Sequence, residues 1–251
     1  MAEPRPAKRL LRLLLIAVAI VALIVALLVL SVVRPSASAA NDLRGALETT
    51  RDFKGWVHVA TTPPELNVSP PQGVVVSTRP AAQPAGPIGH LNTVDGTYVR
   101  DSVINGHRRV EMHVPQRRTA YVYDAGAAEI RVSKTDEPYP PRFADEVAGA
   151  PVTLPDLLDR YTNPAKAPPS TDASRDGDLM RYDLVFRGER RAFKGSLWID
   201  PATKLLRKSR WDTPDGPVDV TYSYGPPEIT DIHDLGIPRD VKVLPAGPAT
   251  R

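Results

Sequence analysis

The chain has 251 residues, with 32 Lys and Arg against 29 Asp and Glu, a formal net charge of +3, and no cysteine. The absence of cysteine excludes disulfides, thiolate zinc sites, a thiol nucleophile and a lipid-modified N-terminal cysteine. Residues 1–12 hold four of the basic residues (Arg5, Lys8, Arg9, Arg12) and one acid (Glu3), leaving 28 of each sign beyond them. That remainder is formally neutral, which excludes a nucleic-acid-binding surface, since phosphate recognition needs a concentrated cationic excess.

In chain order, the basic segment 1–12 reads as a cytoplasmic tail. From Leu13 to Leu30 every residue is Leu, Ile, Val or Ala, and only Ser31 interrupts the run before Val33. At about 1.5 Å per residue, 13–33 is long enough for a transmembrane helix across a bilayer core of about 30 Å. Positive residues stay inside, so the remainder is expected beyond the membrane: a single-pass protein of a bacterial inner (cytoplasmic) membrane, with its C-terminal domain in the periplasm or outside. The competing reading is a cleaved signal at Ala37-Ser38-Ala39; the length of the apolar run favours a retained signal-anchor. Residues 34–40 read as a linker, and Asn41-Asp42 as the N-cap of a helix running to about Thr50, with Leu43 and Leu47 on one face.

From Trp56 the period becomes two, the mark of strands with one face buried. Val110, Met112 and Val114 alternate with polar residues, as do Ala128, Ile130 and Val132; Met180, Tyr182, Leu184 and Phe186; and Val220, Tyr222 and Tyr224. Asp95-Gly96 and Asn105-Gly106 suit tight hairpins, and 200–204 and 212–216 read as Asp- and Pro-containing turns. Leu154 to Tyr161 predicts a two-turn helix, whereas 163–178 reads as a loop and the Pro-rich 61–71 as a flap or an irregular edge. The expected fold is mainly β (α+β). An extracytoplasmic domain over 41–245 forms one curved antiparallel sheet of about eleven strands, an unclosed half-barrel with one to three short helices, followed by a disordered 246–251. So little helix cannot cover so many strands, which points to a hollow interior or a bound ligand.

No catalytic constellation emerges. His58, His90, His107, His113 and His233 are scattered, which predicts no metal site and a solvated polar face for His107 and His113. Asp95, Asp200, Asp212 and Asp215 occupy turns, and neither a Gly-x-Ser-x-Gly elbow nor a phosphate loop is present. The chain is therefore read as non-catalytic and without a cofactor. Aromatic and other large apolar strand residues are the candidates for an apolar cavity: Trp56, Met112, Tyr182, Leu184, Phe186, Trp198 and Tyr222.

The segment Lys194-Gly195-Ser196-Leu197-Trp198-Ile199-Asp200-Pro201-Ala202-Thr203-Lys204-Leu205-Leu206-Arg207 resembles a hairpin of the LolA-like superfamily. That superfamily includes periplasmic lipoprotein carriers, RseB-type envelope-stress sensors and mycobacterial glycolipid-carrying lipoproteins. The resemblance implies a half-barrel holding acyl chains between its sheet and a helical lid, and extends in pattern over the whole exported part. The segment from Tyr222 to Asp240 is similar to tails of membrane-anchored bacterial proteins, often of the planctomycete type. The leading expectation is a membrane-anchored module binding a lipid or lipoprotein ligand. An envelope protein-interaction or stress-sensing domain with a protein partner is the alternative, and a hydrolase without a recognisable motif is the third.

Overall fold

The computed structural model describes residues 38–62, 86–135, 140–186 and 193–245. The tail, the span 13–33, most of the Pro-rich 61–71 and the extreme C-terminus fall outside these residues; among those described, no helix is long and apolar enough to cross a membrane.

The chain is already helical at residue 38, and this helix, α1, runs over 38–51. Asn41 and Asp42 thus lie inside it rather than capping it, since Ala39 and Ala40 extend a helix readily. After Gly55 come β1 (Trp56–Thr62), β2 (Ile88–Asn92), β3 (Tyr98–Ile104), β4 (His107–Val114), β5 (Thr119–Asp124) and β6 (Glu129–Lys134). Two helices follow, the single turn α2 (Ala144–Val147) and α3 (Leu154–Thr162). The chain ends with β7 (Ser170–Asp176), β8 (Leu179–Phe186), β9 (Phe193–Ile199), β10 (Leu206–Thr213), β11 (Gly216–Tyr224) and β12 (Lys242–Leu244).

All twelve strands form one open sheet in the order β12-β6-β5-β4-β3-β2-β1-β11-β10-β9-β8-β7. Every neighbouring pair is antiparallel except β12 with β6. Turn chemistry sets the hairpins. Asn105 and Gly106 both have positive φ, at 51° and 79°, as the β3–β4 two-residue turn requires. At 200–204 the Asp200 carboxylate accepts from the N–H groups of Ala202 and Thr203, at 2.9 and 3.3 Å.

Within 163–178, read as a loop, the residues Ser170–Asp176 are instead the edge strand β7. Only Thr171 of its seven residues is buried, so no apolar alternation announces it; its order comes from backbone pairing with β8, from Ser170 opposite Val185 to Asp176 opposite Leu179.

The sheet buries different faces in its two halves. On the helix side, Val57 and Val59 of β1, Val220 and Tyr222 of β11, Trp211 of β10, Leu197 of β9 and Leu184 of β8 pack against Leu43 and Leu47 of α1 and Leu154, Leu157 and Leu158 of α3. On the opposite side, Trp56, Val99, Val110, Met112 and Ile130 form a second core under Ile229, Ile232 and Ile237 of the C-terminal segment. Strand β1 contributes to both, with Trp56 facing one way and Val57 the other, as alternation demands.

Candidate ligand-binding face

The helix side of β8, β9, β10, β11 and β1 is an apolar floor, and α1, α2 and α3 are its cover. Two glycines permit close approaches, one between helix and sheet and one between neighbouring strands. A Cβ on Gly89 would lie 2.5 Å from the Ala144 carbonyl oxygen, so α2 sits directly on β2. A Cβ on Gly195 would lie 2.2 Å from the ring of Trp211, which explains the glycine that opens the hairpin motif.

Helix α3 begins with a capping box, Thr153 and Asp156 each serving the other's backbone N–H. Its three leucines, 154, 157 and 158, are buried, while Asp156 is exposed. Clefts run along both flanks of this helix. One, of about 330 Å³, lies between α3 and the end of β8, where Val152, Leu157 and Phe186 form the wall and Arg160 and Lys166 the rim. The Arg160 guanidinium stands 5.2 Å over the Phe186 ring. The other, of about 280 Å³, lies between α3 and α1, lined by Phe143, Leu154 and Leu158 with Arg51 and Arg142 at its mouth.

The seven cavity candidates divide between environments. Tyr182, Leu184, Phe186 and Tyr222 share the helix-side floor. Trp56 and Met112 lie in the second core on the opposite face. Trp198 also faces away from the floor, since its neighbours Leu197 and Ile199 belong to it. Its ring is held between Lys208 at 5.1 Å and Arg181 at 5.4 Å, and its Nε1–H donates to Asp176 at 2.8 Å.

Sequence reasoning missed a buried polar cluster beneath the cover. Asp145 of α2 is fully buried. Its Oδ2 accepts from the Leu154 N–H at 2.6 Å and from the Tyr222 hydroxyl at 3.4 Å. Its Oδ1 has no hydrogen-bond partner among the described residues. Burial pushes this carboxyl up to about 7, against the opposing Leu154 N–H, and the adjacent Glu146 carboxylate adds to the rise. Burial, then the Asp145 charge, holds the Tyr222 phenol well above its ordinary range. The Tyr161 phenol of α3 is likewise pushed up to about 12 by burial, and shares a 3.0 Å hydrogen bond with the Thr171 hydroxyl.

Two histidines far apart in sequence meet on the opposite face. His58 and His90 approach Nδ1 to Nδ1 at 2.7 Å, and His58 Nε2 lies 2.8 Å from the Gly225 carbonyl. A carbonyl only accepts, so His58 Nε2 carries the proton and its Nδ1 accepts from His90 Nδ1–H. Burial, then His58, lowers His90 to about 4. His107 and His113 do not meet: they pair across β3 with Ile104 and Tyr98, and His113 stacks on Tyr98 at 4.5 Å. Among the described residues no group of three or more His, Asp and Glu side chains could hold a metal ion.

Fold and faces together define a single unclosed, almost wholly antiparallel sheet with helices against one face. No family model matches the sequence, and no curated protein matches it. Among solved structures the chain is similar to LprF from Mycobacterium bovis, at 14% identity and a TM-score of 0.42, covering 82% of this chain and 99% of that one. It is also similar to the lipoprotein LppX of Mycobacterium tuberculosis, at 15% identity and a TM-score of 0.35, with 77% and 98% covered. A LolA superfamily protein from Nitrosomonas europaea matches at 13% identity and a TM-score of 0.22, with 78% and 97% covered.

Proposed function

We propose that this chain is a non-catalytic, membrane-anchored extracytoplasmic module that binds a lipid or acylated ligand between α3 and the sheet. The observation that carries the reading is the apolar floor whose helical cover includes the short α3 with a cleft along each flank. Roof and floor meet through side chains such as Leu154, Leu157, Leu158, Leu184 and Phe186, so an acyl chain sliding under α3 exchanges one apolar contact for another. Each leucine buried by α3 is worth about 1.5–3 kcal/mol, a sum that an inserted chain of about ten methylenes at about 0.8 kcal/mol each can match. Tyr182, Leu184, Phe186 and Tyr222 are the floor of this site. The apolar run 13–33 and its four preceding cations support anchoring, with the domain beyond the cytoplasmic membrane.

The test is native mass spectrometry of the full chain extracted in mild detergent, together with titration by 11-(dansylamino)undecanoic acid. Copurified lipid, and probe binding weakened about tenfold or more by Phe186→Ala but not by Met112→Ala, support the reading. An empty protein that ignores the probe refutes it. Retention of an N-terminal epitope tag on the mature, membrane-bound chain tests the anchor.

A further inference from the structure

We propose that Asp145 is a proton-operated latch: with its proton on, it holds α2 and the first turn of α3 down on Tyr222 of the sheet, and on losing it frees this helical cover from the apolar floor. The device rests on geometry. One carboxyl group joins three elements, since it stands on α2, accepts the N–H of Leu154 at the first position of α3, and reaches the Tyr222 hydroxyl of β11. The second oxygen, also buried, has no hydrogen-bond partner among the described residues. A neutral carboxyl tolerates that position, whereas a carboxylate left there without a cation or a full set of donors is strongly disfavoured.

Among the described residues no neighbouring cation relieves it. On its own helix the adjacent group is Glu146, a like charge; from β11 it meets the phenols of Tyr222 and Tyr224. On α3 the first-turn acid, Asp156, is engaged with Thr153. The Arg142 guanidinium, three residues before Asp145, pairs with Glu146 at 2.9 Å and approaches Asp156 at 3.8 Å. Burial lifts the group to about 7, so the switch falls in the neutral range.

When Asp145 ionises, the shortest way to hydrate it is to lift the cover. Helix α2 is a single turn and reaches α3 through the short connection 148–153, so opening this unit disturbs no strand pairing. Sub-global openings of this kind lie below global unfolding in free energy. The role of the latch in admitting or releasing a ligand rests on the acyl-binding reading; the proton-coupled motion of the cover does not.

Hydrogen exchange on the full chain in detergent micelles separates the two. After correction for intrinsic chemical rates, protection of 144–162 relative to β9 and β10 should fall about tenfold or more between about pH 5.5 and about pH 8.5. Asp145→Asn should abolish that fall. Tyr222→Phe, which removes a donor favouring the charged form, should move its midpoint to higher pH and remains decisive if the first variant folds poorly. Dissociation of 11-(dansylamino)undecanoic acid should accelerate over the same interval. Protection that stays constant, or falls equally in the strands, overturns the latch even if the probe binds. A cover that opens with pH while no probe binds overturns the acyl reading and leaves the latch standing.

Discussion

A buried and a half-buried group on opposite faces of the sheet should give this domain pH dependences of opposite sign that offset each other in the wild-type chain. Asp145 is raised from 3.8 to about 7 in the fold, so the folded state keeps a proton that the unfolded chain has released. Its contribution is therefore fully present below about pH 4, declines as pH rises, and is lost above about 7. His90 is lowered from 6.5 to about 4, so the unfolded chain takes up a proton that the folded state refuses. Its contribution is present above about pH 6.5 and is lost as pH falls to about 4. Each slope is about 1.4 kcal/mol per pH unit, which gives roughly 3 kcal/mol for His90 and up to about 4 kcal/mol for Asp145, capped at the free energy of opening the cover. Between about pH 4 and 6.5 the two should nearly cancel. Asp145→Asn exposes the histidine term, so that variant should lose roughly 3 kcal/mol on acidification from pH 6.5 to 4. His90→Asn, which keeps an N–H near the Nδ1 position, should instead gain stability over the same range. With a urea m-value of about 2 kcal/mol/M for a domain of this size, each tilt is a midpoint shift of roughly 1.5 M. Urea titrations of the three proteins at matched detergent concentration measure it. Parallel profiles in all three would show that neither group is perturbed as its burial requires.

Further outcomes follow from packing. Gly195→Ala places a methyl group into the fully buried Trp211 ring and should destabilise by about 3 kcal/mol, lowering the calorimetric melting temperature by roughly 6–12 °C; a change under about 1 °C would mean that the two strands can part freely. Met112→Ala should cost about 2–5 kcal/mol by urea denaturation while leaving acyl-probe affinity unchanged, because its side chain lies in the core under the C-terminal segment. Trp198→Phe should lose only about 1 kcal/mol in the same assay, the worth of its hydrogen bond to Asp176, and should not alter probe binding.

Much of this fold is legible in the sequence because its signals are local. The hairpin turns at Asn105-Gly106 and 200–204 are written in residues that accept positive φ or cap a turn, and α3 in a proline at its second position with leucines on one face. What alternation cannot state is which face of a shared sheet a strand buries. Met112 and Leu184 carry the same period-two signature, yet one points toward the C-terminal segment and the other toward α3. The adjacent Trp56 and Val57 were the available clue, since two large apolar neighbours in one strand signal burial on both sides. Strand β7 left no apolar trace because it is held by backbone pairing at an exposed edge. Asp145 was illegible for a different reason: an acid beside Glu146 in a short helix reads as a solvated residue, and only the meeting of α2, α3 and β11 buries it.

The change of buried face also answers the shortage of helical cover that the strand count implies. Three helices cannot roof twelve strands, but they need not, because β3 to β6 turn their apolar residues the other way and receive the C-terminal segment. Helix-side positions of β4 and β6 are polar instead, with Arg109 paired to Glu111 at 2.7 Å and Arg131 to Glu129 at 2.6 Å. A hollow interior is thus no longer required by bookkeeping over the whole sheet. The proposed ligand site belongs to the five strands from β8 to β1, where α3 presents three buried leucines and is flanked by clefts. That placement sharpens what a variant can decide. Substitutions at Leu157 or Phe186 touch roof and floor of the same seam and should alter ligand uptake, whereas equally destabilising substitutions at Val110 or Ile130 should act on stability alone.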